Sequence, residues 1–511
     1  MNGQLFFRMV EKKGYSLTAA QRSVVEHDGG PLIVFAGPGS GKTATITIRA
    51  FYLWQVRGVL PGQMTVVTFT RKAARELSMR LSQLHSDLSG IRTGTFHSIF
   101  LHHYMAYTGE SPRILADAEA RRLFGQAGLV RGVPVAKSYA ALKAARGVWD
   151  YDDILHQFRR LLDERPDVAA AVTQSSPHWL VDEFQDTNEV QWAVMRRIAQ
   201  EAGELIAVGD DDQSIYGFRG AVPEIMLQFS SELPGAREIL LGANFRSTDA
   251  VIRSSSRLIG WNPSHREKGF RGCCGDGIAP AITVFETDAE EATTVARWMI
   301  HRSGRSGATW SGAVLARTNA QLGLLQDALD KLTRGDARFA TRVSVLTLHA
   351  AKGLEFDDVV MIGLREGSCP HPHALADSRT AEELALALAE ERRLVYVGMT
   401  RSRVRLDLTY SRRAGRKACK PSRFLAEIDG RGFEGLESNS QPHVLDRCPP
   451  VIGTRCVHRR FGIGEVRSVE RLRTELHKVG ILYTGQVLRY VYWPAGLESG
   501  LIQSYADREA R

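Results

Sequence analysis

The sequence predicts an α/β protein with doubly wound parallel sheets, followed by a small separate β module. Three observations carry this. Short, nearly all-apolar runs alternate with helical patterns from residue 17 to residue 410. One such run, Leu32-Ile33-Val34-Phe35, leads into Ala36-Gly37-Pro38-Gly39-Ser40-Gly41-Lys42-Thr43 and then a helix-compatible stretch from Ala44 to Gln55. From Val451 to Ile502 the pattern changes to short alternating segments punctuated by glycine.

The expected strands are Leu32–Phe35, Thr65–Phe69, Trp179–Val181, Leu205–Val208, Ile282–Phe285, Ala313–Ala316, Val343–Leu348, Asp358–Leu364 and Val404–Thr409. Apolar runs of this kind belong to strands covered on both faces. Arg71–Leu84 places Ala73, Leu77, Leu81 and Leu84 at helical spacing, with Thr70 as its N-cap. Asp288–His301 and Glu382–Met399 also read as helices. Residues 101–178 are rich in Ala and Arg and lack a buried-strand signal, so they read as a helical insertion within the first α/β domain. Around 411–450 the composition turns to Arg, Lys, Gly, Ser and Pro, which reads as a linker. Its basic stretch Arg412, Arg413, Arg416, Lys417 and Lys420 suits either phosphate contact or a solvated loop. The segment Val487 to Trp493 typifies the last module, for which a small β-barrel is expected.

Bulk composition narrows the function classes. A hydrophobic fraction of 43% and a charged fraction of 24% describe an ordinary globular chain. A net charge of +9 favours an anionic partner, nucleic acid first. The six cysteines, at 273, 274, 369, 419, 448 and 456, form no C-x-x-C pair and read as free thiols of a reducing cytosol. No run reaches membrane-spanning length, and the N-terminus has no secretory cleavage pattern. A cytoplasmic protein without a membrane partner is expected.

The chemistry begins at residues 36–43. Glycines let backbone N–H groups turn inward onto phosphate oxygens, and the following helix points its positive end at the same anion. Lys42 is placed to reach the β- and γ-phosphates of ATP, and Thr43 to hold Mg²⁺. Ala36 stands where the motif usually has Gly, and its small side chain is tolerable there. A second motif, Leu180-Val181-Asp182-Glu183-Phe184-Gln185-Asp186-Thr187, ends a buried strand in two acids. Asp182 suits water-mediated Mg²⁺ binding, and Glu183 suits orienting and deprotonating the attacking water. The third is Gly209-Asp210-Asp211-Asp212-Gln213-Ser214-Ile215-Tyr216-Gly217-Phe218-Arg219-Gly220. Gln213 suits sensing the γ-phosphate or its water. Tyr216, Phe218 and Arg219 have the composition of a stacking platform for unpaired bases.

With these in order stand Leu17-Thr18-Ala19-Ala20-Gln21, Val67-Thr68-Phe69-Thr70-Arg71-Lys72-Ala73-Ala74, Gly94-Thr95-Phe96-His97-Ser98 and Asp150-Tyr151-Asp152-Asp153-Ile154-Leu155. Further along come Asn244-Phe245-Arg246-Ser247, Leu348 to Phe356, Glu390 to Arg401, and Pro421-Ser422-Arg423-Phe424. The ordered set resembles the UvrD/Rep/PcrA family of superfamily 1 helicases. The resemblance implies two RecA-like ATPase domains. The first takes residues 1–100 and 179–247, and 101–178 form a reduced helical insertion. The second takes 248–435, then comes a linker at 436–450 and a Tudor-like module at 451–511. It implies that ATP lies between the two ATPase domains. It gives Gln21 the adenine edge, Phe245 a stack on the base, Glu355 the ribose, and Arg246 and Arg401 the γ-phosphate. Phe69, Phe96, His97, Tyr216, Phe218, Arg219 and His349 would line a single-stranded DNA path, travelled 3′ to 5′. Phe218 stands where relatives commonly have Trp, Phe245 where they have Tyr, and Ala44 where they often have Arg.

One departure bears on function. Relatives carry a large insertion, 2B, between segments matching Arg317-Thr318-Asn319 and Leu348–Phe356. Here only about Lys331 to Arg342 fills that place, so 2B is expected to be missing. The implied function is an ATP-driven single-stranded DNA translocase or helicase in repair, replication or clearance of proteins from DNA. Two alternatives stay open. One is a motor subunit of a nuclease or phage-defence complex. The other is a DNA-binding adaptor with little turnover. The Tudor-like resemblance implies a protein contact such as RNA polymerase or a repair factor. A stabilising barrel without a partner is the other reading of that module.

Overall fold

The computed structural model describes residues 2–429, apart from 130–133, 202, 308, 334–338, 340 and 377, together with strand segments 455–458, 462–472, 477–483, 487–493 and 502–504. The chain divides into two compact units, Met1–Ala243 and Asn244–Arg511.

The strands of the first unit are β1 (Gly30–Ala36), β2 (Met64–Thr68), β3 (Arg92–Thr95), the short β4 (Arg113–Ile114) and β5 (Val148–Trp149), β6 (His178–Val181), β7 (Glu204–Gly209) and β8 (Arg237–Leu241). Six of them make one parallel sheet in the order β3-β2-β6-β7-β1-β8. Side-chain alternation sorts the core into two layers. Ile33, Phe35, Val67, Val181 and Ala207 face one apolar cluster, shared with Phe100, Phe158 and Phe229 from helices. Leu32, Val34, Val66, Leu180 and Ile206 face the other, shared with Phe6, Ile48, Phe51 and Leu77. Covering both faces explains why these strands read as continuous apolar runs.

The two strands that the sequence reading passed over, β3 and β8, are the sheet's edges. Edge strands are covered less, so β3 is the polar stretch Arg-Thr-Gly-Thr and β8 is largely exposed. Arg71–Leu84 is a helix with Thr70 as its N-cap, as expected. Residues 101–178 are mainly helical, with β4 and β5 forming a two-stranded parallel ladder among them.

The second unit opens with the pair β9 (Ala243–Asn244) and β10 (Arg271–Gly272). Its main sheet holds β11 (Ala281–Thr287), β12 (Gly312–Ala316), β13 (Val343–Thr347), β14 (Phe356–Met361) and β15 (Ser402–Ala414), in the parallel order β11-β15-β14-β12-β13. The short β16 (Lys417–Ala418) runs antiparallel to β15. Helix Asp288–Arg305 packs Val295 and Met299, and helix Asn319–Thr333 packs Leu322 and Leu325, into a core with Val314 and Val360. Helix Asn319–Thr333 and β13 are joined by residues 334–342 alone.

The boundary between units falls ahead of the expected one. Asn244 to Ser247 hydrogen-bond within the second unit, for Ser247 Oγ donates to Ser402 O at 2.6 Å. Thr248 N then donates to Arg403 O at 3.0 Å. The expected linker at 436–450 lies outside the described residues. Beyond it, β17 (Arg455–His458), β18 (Gly462–Arg471), β19 (His477–Tyr483), β20 (Val487–Trp493) and β21 (Ile502–Ser504) form an antiparallel sheet ordered β20-β19-β18-β17-β21. Among the described residues the module shows this five-stranded antiparallel sheet, with no pairing of β20 with β21 that would close it into the expected barrel.

Candidate nucleotide site and nucleic-acid interface

In the first unit the phosphate loop leaves the C-terminal end of β1, between its neighbours β7 and β8. Gly39 and Gly41 have φ of +68° and +79°, a region that favours glycine. Gly41 is the N-cap of helix Lys42–Gln55. A Cβ on Gly41 would stand 2.8 Å from Gln21 Nε2. Ala36 needs no such freedom; it is the last residue of β1 and fully buried. Lys42 Nζ donates to Ala36 O at 2.9 Å and Gly37 O at 3.1 Å, which holds the ammonium over the loop. Behind it, Arg49 is fully buried and bonds Glu204 Oε1 through both Nε and Nη2, at 2.9 and 2.6 Å. That pair clamps the helix to β7.

Gln21 sits under the loop. Its Oε1 accepts from Thr18 N at 2.8 Å and its Nε2 donates to Ser40 O at 3.0 Å. The residue expected at the adenine edge is therefore also a brace for the phosphate loop. One N–H and one lone pair of its amide stay outside these two bonds.

Thr43 Oγ1 donates to Asp182 Oδ2 at 2.9 Å, joining the loop helix to the end of β6. This hydroxyl and carboxylate are a hard oxygen donor set and suit Mg²⁺. Burial, and then the neighbouring Glu183 charge, push the Asp182 carboxyl up to about 7, against the pull of Thr43 and Lys42. A divalent cation there would relieve that cost. Glu183 has φ of +56° and is the one non-glycine residue with positive φ among the described residues. A strained backbone of this kind costs about 1–3 kcal/mol and clusters at functional sites.

Gln185, which received no role from the sequence, completes the arrangement. It is fully buried. Its Nε2 donates to Glu183 Oε2 at 2.5 Å, and its Oε1 accepts from Asp210 N at 2.9 Å. Asp210 Oδ2 in turn accepts from Gln213 Nε2 at 2.6 Å. Gly209 is required where it stands, because a Cβ would lie 2.5 Å from Gln185 Oε1. Glu183 and Gln213 thus belong to one hydrogen-bonded chain across the adjacent ends of β6 and β7.

The same loop continues into the aromatic platform. Phe69 and Tyr216 stack with centroids 4.9 Å apart, and Phe218 meets Tyr216 edge-on at 5.9 Å. Arg219 lies over both rings, at 5.3 and 5.5 Å. Phe218 is 67% exposed, a large aromatic surface offered to solvent. Phe96 corrects the expectation: it is 4% exposed and packs on Phe100 at 5.7 Å. As first residue of helix Phe96–Thr108 it turns toward the core, whereas His97 lies at the partly covered surface. His97 meets Tyr151 edge-on at 5.5 Å, and Arg71 Nη2 donates to Tyr151 Oη at 2.7 Å. Tyr151, to which the sequence assigns no role, is brought to the same surface by contact with His97 and Arg71. Burial lowers the His97 pKa.

In the second unit, β14 and β15 are parallel neighbours whose starts lie side by side, Phe356 opposite Ser402. That register brings Glu355 and Arg401 to the same end of the sheet. Glu355 Oε2 accepts from Arg246 Nε at 2.6 Å, and Glu355 also pairs with Arg403. Burial would raise the Glu355 carboxyl, but Arg246 and Arg403 hold it below the usual range. Asn244 Oδ1 accepts from Arg246 N at 2.9 Å and Ser247 N at 2.8 Å, fixing the turn that presents Arg246. Arg401 is 2% exposed, and its guanidinium donates to Val397 O at 2.9 Å and Leu354 O at 3.2 Å. It therefore caps helix Ala381–Met399 in addition to any other task. Phe245 is exposed. Burial, with Arg317 and Lys352 nearby, lowers His349 to about 4 against the pull of Glu391, so it presents a neutral ring.

Comparison with known proteins agrees with this geometry. The UvrD/REP helicase N-terminal domain model matches residues 17–121 and 131–234, and the UvrD-like helicase C-terminal domain model matches 328–413. ATP-dependent DNA helicase UvrD1 of Mycobacterium tuberculosis is 31% identical over 371 residues, covering 61% of this chain and 48% of that protein. DNA helicase II of Escherichia coli is 31% identical over 361 residues, covering 61% and 50%. ATP-dependent DNA helicase UvrD2 of Mycobacterium bovis is 28% identical over 571 residues, covering 80% and 81%. The chain spans about half the length of the first two of these relatives. With matching models across both units, and the phosphate loop, acidic strand end and aromatic loop in one sheet, the chain belongs to the UvrD-like family of superfamily 1 helicases.

Proposed function

We propose that this protein hydrolyses ATP and uses the energy to move along single-stranded DNA. The observation that carries the reading is the Thr43–Asp182 contact at 2.9 Å, under the phosphate loop and next to the strained Glu183. Lys42 and the loop N–H groups bind the triphosphate, and Thr43 and Asp182 hold Mg²⁺. When bound, the metal screens phosphate charge during hydrolysis. Glu183, oriented by Gln185, receives the proton of the attacking water. Gln213 follows the γ-phosphate, and its loop carries Tyr216, Phe218 and Arg219, so a change at the phosphate is felt at the bases. Gln21 and Phe245 hold the adenine, Glu355 the ribose, and Arg246 and Arg401 the γ-phosphate. Arginine contacts of the last kind are worth about 10³–10⁵ in rate in related phosphoryl transfer.

Phe69, His97, Tyr216, Phe218, Arg219 and His349 grip the strand, and we assign travel 3′ to 5′. ATPase rates with and without single-stranded DNA, for wild type and Lys42→Ala, test the reading. DNA-stimulated turnover that Lys42→Ala abolishes is expected; folded wild type that consumes no ATP on bare oligonucleotide overturns it.

That only residues 334–342 separate helix Asn319–Thr333 from β13 along the chain supports a motor that lacks subdomain 2B. Translocation then outweighs extended duplex unwinding, and a partner can supply duplex contact. Strand displacement over long duplexes by the chain alone would argue against this. That arrangement suits repair, replication or clearance of proteins from DNA, and also a motor subunit of a larger nuclease or defence assembly. The antiparallel C-terminal sheet is a candidate surface for a protein partner such as RNA polymerase or a repair factor. No helix among the described residues is long and apolar enough to cross a membrane. We place the protein in the cytoplasm, with the nucleoid.

A further inference from the structure

Helix Asp288–Arg305 buries Val295 and Met299, and beside them it carries a stripe at i, i+1, i+4 and i+5: Arg297, Trp298, His301 and Arg302. With Ser306 and with Arg405 of β15, this stripe lines an open cavity of about 680 Å³. The cavity lies wholly within the second unit, and none of its residues has a task in the function proposed above.

Cations outnumber anions along its walls. Arg302 Nη2 lies 2.7 Å from Asp407 Oδ2, and Arg405 donates to the same carboxylate from Nε at 3.0 Å and from Nη2 at 3.3 Å. The next carboxylate is Asp358, 3.8 Å from Arg302 Nη1. Burial raises the Asp358 carboxyl against the pull of Arg302 and Arg405. Three guanidiniums thus meet at most two negative charges. No acid stands three or four residues from Arg297 along the helix, and its side chain is exposed. Arg405 commits two of its five N–H groups to Asp407 and keeps three, on a side chain that is 44% exposed. Asp407 therefore fixes the Arg405 fork without exhausting its donors. Trp298 adds a flat apolar surface. Phe285 braces the indole at 6.0 Å with a tilt of 52°, and the Arg302 guanidinium lies 5.7 Å from its centroid.

Guanidinium forks match phosphate oxygens, and aromatic rings with arginine beside them stack nucleobases. The volume falls within the range of small-ligand sites, about 300–1,000 Å³. We propose that this cavity is a second nucleotide site, apart from the phosphate loop, which takes one nucleoside phosphate. Arg297 and Arg405 hold the phosphate, and Trp298 meets the base. Its occupant is a free mononucleotide or one nucleotide unit of a single strand, which share this chemistry.

Titration calorimetry with thymidine 5′-monophosphate tests the site on the full chain. Mg²⁺ and a non-hydrolysable ATP analogue are kept at saturation, so that the phosphate loop does not report. Anisotropy of a labelled oligothymidylate over a range of salt tests the strand source. The variants are Arg297→Gln, Arg405→Gln, Trp298→Leu and, as a matched loss of charge outside the cavity, Arg253→Gln. For a free mononucleotide, the monophosphate binds wild type; each arginine variant of the cavity weakens it about tenfold, and Trp298→Leu about fivefold or more. For a strand unit, the monophosphate gives no heat, and the cavity variants weaken the oligonucleotide by similar factors. Each lost arginine then lowers the salt slope by about 0.7. Either pattern, with Arg253→Gln like wild type, supports the site. Cavity variants that leave both ligands at wild-type strength overturn it. An equal loss in Arg253→Gln also overturns it, as a general effect of charge. Arg297 is exposed, so where Arg405→Gln or Trp298→Leu fails to fold, Arg297→Gln decides.

Discussion

Gln185 Nε2 donates to Glu183 Oε2 at 2.5 Å while its Oε1 accepts from Asp210 N, so one buried amide holds a carboxylate at the end of β6 and a loop at the end of β7. Glu183 is already on a left-handed backbone, and this bond selects where its carboxylate points. Removing the amide takes away the bond that sets this direction. Misplacing a catalytic group by about 1 Å can cost about 10²-fold. Gln185→Ala should therefore lower DNA-stimulated kcat by about 10- to 100-fold with little change in nucleotide affinity. Measuring kcat beside equilibrium binding of a fluorescent nucleotide decides it; equal losses in both would point to a collapsed loop.

Gly41→Ala tests the phosphate loop. The backbone there has φ of +79°, and the new methyl would stand 2.8 Å from Gln21 Nε2. Left-handed alanine costs about 1–2 kcal/mol before that clash is counted. Expected is loss of ATP binding by at least about tenfold, with a lowered Tm. Unchanged affinity in titration calorimetry would show that the loop relaxes around the methyl.

Phe218 and Phe96 should separate cleanly. Phe218→Ala removes an exposed ring from the platform and should weaken single-stranded DNA binding by about 1–3 kcal/mol, or about 5- to 150-fold, with little effect on folding. Phe96→Ala opens a cavity beside Phe100 and should cost about 3–5 kcal/mol of stability. Fluorescence anisotropy and urea denaturation, run on both variants, read the two effects. A Phe96→Ala protein with native stability and impaired DNA binding would return Phe96 to the strand path.

His103 gives a pH signature in the helical layer. It is 2% exposed among Tyr107, Phe158 and Trp179, and its Nε2 has no hydrogen-bond partner among the described residues. Burial, with Arg92 and His102 adding to it, lowers its pKa to about 3. In the unfolded chain the pKa is about 6.5. Between these values the unfolded state binds the proton and the folded state does not, so stability falls as pH drops from about 6.5 toward 3. The slope from this residue approaches about 1.4 kcal/mol per pH unit. His103→Phe should flatten that acid limb relative to wild type and leave the neutral plateau alone. Urea midpoints at pH 7.5 and about pH 5 measure the difference, and parallel losses in the two proteins would refute it.

Local chemistry was legible because it is written in neighbouring residues. The phosphate loop, the Asp182–Glu183 pair and the Tyr216–Arg219 platform each occupy a few consecutive positions whose side chains or backbone act together. Buried strands were legible for a related reason: a strand covered on both faces is apolar nearly throughout, as β1 is and as β7 is after Glu204. Edge strands β3 and β8 escaped because half coverage leaves no such run. Phe96 was misread because adjacent residues on one helix turn point to different environments, and only packing reveals that His97 lies at the surface while its neighbour does not.

From the chain's residues alone came the α/β class, the order of its motifs, the nucleotide chemistry and the short passage where relatives carry a larger insertion. Three-dimensional packing alone decided that Gln185 ties Glu183 to Asp210, that Gln21 braces the phosphate loop, that Arg401 is buried against the carbonyls of Val397 and Leu354, and that Glu355 is shared by Arg246 and Arg403. The reason is reach: a hydrogen bond or ion pair acts over about 3 Å, and no spacing along the chain tells which distant side chains a folded sheet will bring within it.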